Sequence, residues 1–304
     1  LLTERNFYTN LTTLSGDIGI ENNISDNIYH VVVSVDDVGS AKIDGFTITK
    51  GNADGTSFII INTWIFSRDS GGGILNLFSS PTLNNSIITY NSAYQGGGIY
   101  NHSSSPTLTN TNISNNSAYN GGGGYNYASS PIITNTTISN NSCSFNGGGI
   151  YNQFSSPTIN NSIIWANTKN SDQSINNIYN FSSSSGSSST PVYKYSLIQG
   201  SMVNSNWNSS FGTNGGNNID VNPMFANPTN GDFTLTITSP AINAGSNALY
   251  GASLSTATDL AGNPRLFGTT IDMGAYENQS CPNISAPTAQ NQEFCIAENA
   301  TIAN

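Results

Sequence analysis

Residues 96–120 read GGGIYNHSSSPTLTNTNISNNSAYN, and residues 121–146 follow with GGGGYNYASSPIITNTTISNNSCSFN. The same unit extends to both sides. Glycine clusters begin at Gly71, Gly96, Gly121 and Gly147, and four prolines, Pro81, Pro106, Pro131 and Pro157, keep that spacing. Two residues past each proline stand Leu83, Leu108, Ile133 and Ile159; four past stand Asn85, Asn110, Asn135 and Asn161. Seven past come Ile88, Ile113, Ile138 and Ile164, and ten past come Asn91, Asn116, Asn141 and Asn167. Four copies in register make an internal repeat the first fact about this chain.

Within each copy the apolar residues recur at period two over short stretches such as Thr107–Thr111, broken by Gly or Asn-Ser. No copy holds the ten or more residues of 3.6-period pattern that a helix requires. A propeller blade needs about 40 residues, so a unit of this length fits one coil of a parallel β-helix. The expectation is an all-β solenoid with about three short strands per 25-residue coil. Coils stack at about 4.8 Å, so roughly eight of them over residues 1–200 would span some 40 Å.

Stacking places one position of every coil in one column. The Leu/Ile columns two and seven past the proline are read as the dry interior. The Asn column at +4 shares the parity of +2. It is therefore read as an inward ladder of Asn85, Asn110, Asn135 and Asn161, whose stacked amides bond one another. Cys143 takes the place of Ala93 and Ala118 and is read as a small buried filler. The triple glycines answer a backbone need at a sharp corner. No Lys-Ser or Lys-Thr follows them, which removes a phosphate loop.

The 304 residues include 7 basic and 17 acidic ones, a net charge of −10, and only 8% are charged. The 47 Asn and 30 Gly do the solvating instead. Nucleic acid is excluded as a partner because its backbone needs a cationic face, and an anionic membrane surface is disfavoured likewise. No apolar run approaches the roughly 18 residues of a membrane span. Leu1, with no initiator Met or signal peptide, reads as a cut end within a longer precursor.

Outside the regular coils at about 71–169, Val31–Val35 and Ala41–Ile48 read as strands of earlier coils. Residues 52–69 read as a loop thrown out from the rod, and Ser182–Ser189 as a flexible excursion. Residues 201–277 are expected to hold the final coils and a C-terminal β cap over the last open coil. Residues 278–304 read as a linker and the opening of a further module, in which Cys281 and Cys295 are expected to pair if the chain is secreted.

The motifs Thr13–Ile18, Ile43–Ile48, the Gly-Gly-Gly-Ile-Tyr-Asn units and the ending Asp259–Glu277 resemble, in this order, the right-handed parallel β-helix repeat proteins secreted by Bacteroidota. The Gly-Gly-Gly-Ile and Ile-Ser-Asn-Asn-Ser-Ala pairing is similar to the repeat of chlamydial polymorphic outer-membrane proteins. The stretch from Cys281 to Gln290 resembles the start of an immunoglobulin-like module. The resemblance implies an extracellular, multi-module, adhesin-like surface protein. Its superfamily also holds pectate-lyase-like enzymes, so fold alone does not decide activity.

A lyase of that kind needs acidic ligands and a cationic base on one face of successive coils. From Ser70 to Thr168, 99 residues, the chain has no Asp, Glu, Lys or Arg, and His102 is the one group there that titrates near neutrality. Carboxylates gather only toward the ends: Asp36, Asp37, Lys42 and Asp44 with Arg68 and Asp69, and Asp259, Arg265, Asp272 and Glu277. No cofactor is expected, and no ligand spacing announces a structural calcium.

Three functions stay open at this point. The first is a non-catalytic adhesive or structural rod whose partners are surface glycans or other cell-surface components. The second is a polysaccharide lyase or hydrolase, and the third an ice-binding rod using Thr107 and Thr109 and their equivalents. For the first, Tyr100, Tyr125 and Tyr151 form one column directly after the inward Ile, so alternation turns them outward. They are expected either to stack on sugar rings or to stack only on one another.

Overall fold

The computed structural model describes residues 10–183, 188–251 and 253–280. In the coil of residues 96–120 the strands are Ile99–His102, Thr107–Thr109, Asn112–Ser114 and Ser117–Asn120. Each pairs in parallel with its equivalent one coil on: Tyr100 with Tyr125, Leu108 with Ile133, Ile113 with Ile138, Ala118 with Cys143. The fold is a right-handed parallel β-helix. We call the sheets built on Asn112–Ser114, Ile99–His102, Thr107–Thr109 and Ser117–Asn120 sheets A, B, C and D. They hold seven, six, seven and five strands.

Three strands of each coil supply the apolar interior. Ile99, Leu108 and Ile113, with Ile74, Leu83, Ile88, Ile133, Ile138, Ile150, Ile159 and Ile164, form one buried column. Each such side chain contributes about 1.5–3 kcal/mol on burial. The fourth strand supplies only small residues to the inside, Ala118 and the fully buried Cys143. The Cys143 thiol is pushed up to about 11 by burial, so it is an inert filler.

Corners between strands use left-handed backbone. The first glycine of each cluster has φ of 65–74°. The second is needed for a different reason: a Cβ on Gly97 would lie 2.3 Å from the Ser117 carbonyl oxygen. The glycines thus serve a turn and then a close approach of two backbones.

The +4 Asn residues also sit at a corner, which corrects the inward ladder expected for them. Asn85, Asn110, Asn135 and Asn161 have φ of 47–49°, just past the end of the sheet C strand. Turning there swings their side chains off the interior, and Asn tolerates that backbone better than most residues. Asn110 Nδ2 donates to Asn85 Oδ1 (3.2 Å), and Asn161 Nδ2 to Asn135 Oδ1 (3.3 Å). Between these pairs the bonds go instead to the C-terminal segment.

Two continuous Asn ladders lie elsewhere. In the first, Nδ2 of Asn91 donates to Asn116 Oδ1 (3.0 Å), Asn116 to Asn141 (3.0 Å), Asn141 to Asn167 (2.9 Å) and Asn167 to Asn177 (2.8 Å). Each Nδ2 also donates to a main-chain carbonyl of the preceding coil, as Asn141 does to Ile113 O at 2.9 Å. The second runs Asn76, Asn101, Asn126, Asn152, Asn180 with spacings of 2.8–2.9 Å. Within each column a buried amide finds its partner in the next one, and only at the start of the second ladder is the Asn76 Oδ1 left without a donor.

The excursion expected over residues 52–69 is ordered and starts later, because Asn52–Ala53 is a strand of sheet D paired with Ser92–Ala93. Phe58–Ile61 and Trp64–Ser67 form an antiparallel hairpin, and Phe66 packs against a second apolar cluster outside sheet B. Of the serine tract, residues 184–187 lie outside the described residues.

The cap also differs from expectation. The last coil is closed by residues 202–216, a short hairpin of Met202–Val203 with Asn206–Trp207 followed by a 3-10 turn. From it Trp207 and Phe211 pack onto the interior column. Asn180 Nδ2 donates to the Ser210 and Phe211 carbonyls at 2.8 and 2.9 Å, ending the second ladder. Residues 223–278 instead lie along the flank of sheet A. Ile163 and Leu197 point outward there and bury against Leu235, Ala241 and Met273. The corner Asn residues hold this segment: Asn110 donates to Thr258 O (2.9 Å), Asn135 to Asp272 O (3.2 Å) and Asn161 to Ser246 O (3.0 Å). The outer face of sheet A is mixed: Ile163 and Leu197 are apolar and need a cover, while the polar Thr137 beside them accepts a hydrogen bond from the Ala275 N–H of the same segment (3.1 Å).

Candidate functional site

Tyr100, Tyr125 and Tyr151 do turn away from the interior, as alternation requires, but they are not a binding surface. They are 8%, 3% and 7% exposed. Tyr125 stacks on Tyr151 at 4.6 Å between centroids, and Tyr100 lies 5.4 Å from Tyr125. Leu75, Leu77, Phe66, Phe78 and Tyr127 pack around them as a second apolar layer. The Tyr125 hydroxyl is bonded to Gln153 Oε1, and burial raises the phenols of all three above their usual range. A sugar cannot reach these rings. His102 belongs to the same layer, stacked on Tyr127 at 5.0 Å; burial holds its imidazole below its usual range.

The exposed rings are on sheet D. Tyr94, Tyr119 and Phe145 are 48%, 38% and 48% exposed. Tyr94 and Tyr119 are 4.7 Å apart at 5° between planes, and Tyr119 and Phe145 are 5.5 Å apart, also at 5°. The first spacing is that of the coils themselves, so the rings form one column whose faces look along the rod. Phe145 joins it although its coil is one residue longer, because Ser142–Asn146 absorbs the extra residue as an irregularity in the pairing with Ser117–Asn120. Counted back from the clusters at Gly96, Gly121 and Gly147, the ring is the second residue before the first Gly. Counting forward from proline hides Phe145, which is why the column escaped sequence reading.

The two ends of the column differ. At one end Lys169 Nζ stands 5.7 Å from the Phe145 centroid, a cation over an aromatic face. At the other end the ring position of the preceding coil is filled by acids. Ala93 pairs with Ala53, which puts Asp54 next in line, and Gln95 pairs with Ser70, which puts Asp69 there too. The 58–67 hairpin is inserted between these two positions. The Tyr94 face therefore opens into a groove of about 370 Å³ lined by Ala53, Asp54, Gly55, Thr56, Asp69, Ser92 and Ala93 with Tyr94 and Tyr119.

The other carboxylates are engaged in structure. Asp36 accepts from Trp64 Nε1 (2.7 Å), and Asp37 accepts from the Gly39 N–H of its own turn (2.8 Å). Asp44 pairs with Lys42 at 3.0 Å. In the flanking segment Asp259, Arg265, Asp272 and Glu277 are all buried. Asp259 accepts from the Asn263 and Glu277 amides (both 2.8 Å), and Asp272 from the Asn243 and Asn278 amides (both 2.7 Å). Arg265 Nη2 donates to the Asp272 and Gly274 carbonyls at 2.7 and 2.9 Å. These buried groups knot the segment. Among the described residues no group of three or more His, Cys, Asp or Glu is placed to hold a metal ion. Cys281 and Cys295 lie outside the described residues.

No protein-family model matches the chain, and no curated protein matches it in sequence.

Proposed function

We propose that this chain is a non-catalytic carbohydrate-binding rod, an adhesive module of a larger extracellular or cell-surface protein, and that it binds a sugar ring on the open face of Tyr94. The observation that carries this reading is the stacked column Tyr94–Tyr119–Phe145 ending in a polar groove. Sugar rings present C–H faces that pack on aromatic faces, while their hydroxyls need acceptors and donors at the rim. Asp54, Thr56, Asp69 and Ser92 are such groups. The stack behind Tyr94 holds its ring in place, so little side-chain freedom is lost on binding.

Two features speak against the enzyme reading. Sheets A to D carry no charged side chain over 99 consecutive residues, and the charged cluster around Arg265 is buried. The ice-binding reading has less support still. The equivalents of Thr107 and Thr109 include the exposed Ile132 and the buried Asn160, which breaks any regular threonine surface.

The test is a glycan-array screen followed by titration of the best ligand. Tyr94→Ala should weaken binding at least about tenfold, or about 1.4 kcal/mol, and leave the melting temperature nearly unchanged because the ring is half exposed. Equal affinity in the variant, or cleavage of the glycan, would refute the reading.

A further inference from the structure

The two faces that end the aromatic column differ in what stands against them. The Phe145 face has a cation of the chain's own, Lys169, at 5.7 Å. The Tyr94 face has none: no cationic side chain lines its groove. Arg68, next to Asp69 in sequence, is directed elsewhere, with its guanidinium 5.4 Å from the Tyr29 centroid.

The groove instead offers two carboxylates with capacity to spare. Asp54 Oδ2 accepts from Asn52 Nδ2 (3.0 Å) and Asp69 Oδ1 from Ser70 Oγ (2.8 Å). Each carboxylate ion accepts at both oxygens, and among the described residues no hydrogen bond is made to Asp54 Oδ1 or Asp69 Oδ2 of the two groove-lining acids. An aromatic face flanked by two acids, under a net charge of −10, attracts a cation and repels an anion.

Building on the carbohydrate reading above, we infer that the groove selects an amine-bearing sugar, a hexosamine with a free ammonium group, over neutral sugars and over uronates. The pyranose ring continues the column as its fourth member. Its ammonium lies between Asp54 and Asp69 and makes charge-assisted hydrogen bonds, which are shorter and stronger than neutral ones. A uronate in the same place would bring a third carboxylate into the groove.

The experiment titrates the protein at about pH 6 with three tetrasaccharides: β-1,4-linked glucosamine, its fully N-acetylated counterpart, and galacturonate. The glucosamine tetramer should bind at least about tenfold tighter than the N-acetylated one, with galacturonate weakest. The preference should shrink as salt rises. The double variant Asp54→Asn, Asp69→Asn should lose the preference while retaining binding of the N-acetylated tetramer. Equal binding of the amine and its N-acetyl form, or a preference unmoved by salt and by the double variant, overturns the inference and leaves the carbohydrate reading standing. Binding of none of the three sugars, or affinities unchanged by Tyr94→Ala, overturns both.

Discussion

Asparagine does two different jobs in this chain, and the position within the coil decides which. At +10 the strand has ended and the side chain returns inward. There Asn141 Oδ1 accepts from the Asn116 main-chain N–H (3.0 Å) and from Asn116 Nδ2 (3.0 Å). At +4 the backbone turns left-handed and the side chain reaches for the flanking segment, as Asn135 does toward Asp272 O. Asn141→Ala should therefore destabilise the rod by about 2–5 kcal/mol, since two or more buried groups lose their partner at about 1–3 kcal/mol each. Asn135→Ala should cost less in urea unfolding, because its amide makes only longer bonds, donating to Asp272 O of the flanking segment (3.2 Å) and accepting from Asn161 Nδ2 (3.3 Å), and no bond to a main-chain N–H of the coils. Equal costs would show that the two columns are not distinguished in this way. The sequence repeats Asn at both positions, so identity alone could not separate them. Parity carried over from +2 to +4 misled because the strand stops at +3.

At the scale of elements, what the repeat controls was legible and what breaks the repeat was not. The Leu83, Ile88 and Ile99 columns followed from period-two spacing, and so did the corner role of Gly96. The hairpin 58–67 occurs once, so no neighbour copy revealed it, and burial of Tyr100, Tyr125 and Tyr151 depends on Phe66 and Phe78 from outside their coils. The flank cover 223–278 was likewise invisible, since nothing in Ile163 or Leu197 tells which face meets a distant segment. That cover has its own signature. Burial raises the carboxyls of Asp259 and Asp272, and pushes Glu277 up to about 8, because three acids share the single guanidinium of Arg265 in a dry site. A folded-state pKa above the unfolded one favours folding below the unfolded value and loses that contribution as pH rises through the folded one. Melting temperature should accordingly fall as pH rises from about 4.5 to about 8, and Glu277→Gln should flatten that slope. A melting temperature that climbs over this window would contradict the cluster's assigned role.

The whole molecule is a rod whose open end is plugged by Trp207 and Phe211 and whose sheet A is sheathed by residues 223–278. Hydrogen-bond ladders inside and paired hydroxyls and amides outside replace the ion pairs of an ordinary surface, which is how the long charge-free stretch remains solvated. Of two aromatic columns on the coils, one is buried as a second core and the other, Tyr94–Tyr119–Phe145, faces solvent. On the function proposed above, a glycan packs on this exposed column. The most direct measurement is NMR of protein with isotope-labelled tyrosine rings, titrated with the best-binding sugar. The ring resonances of Tyr94 should shift most and those of Tyr119 next, with Tyr100, Tyr125 and Tyr151 unmoved. Shifts confined to the buried three, or absent from Tyr94 at saturating ligand, would contradict the account.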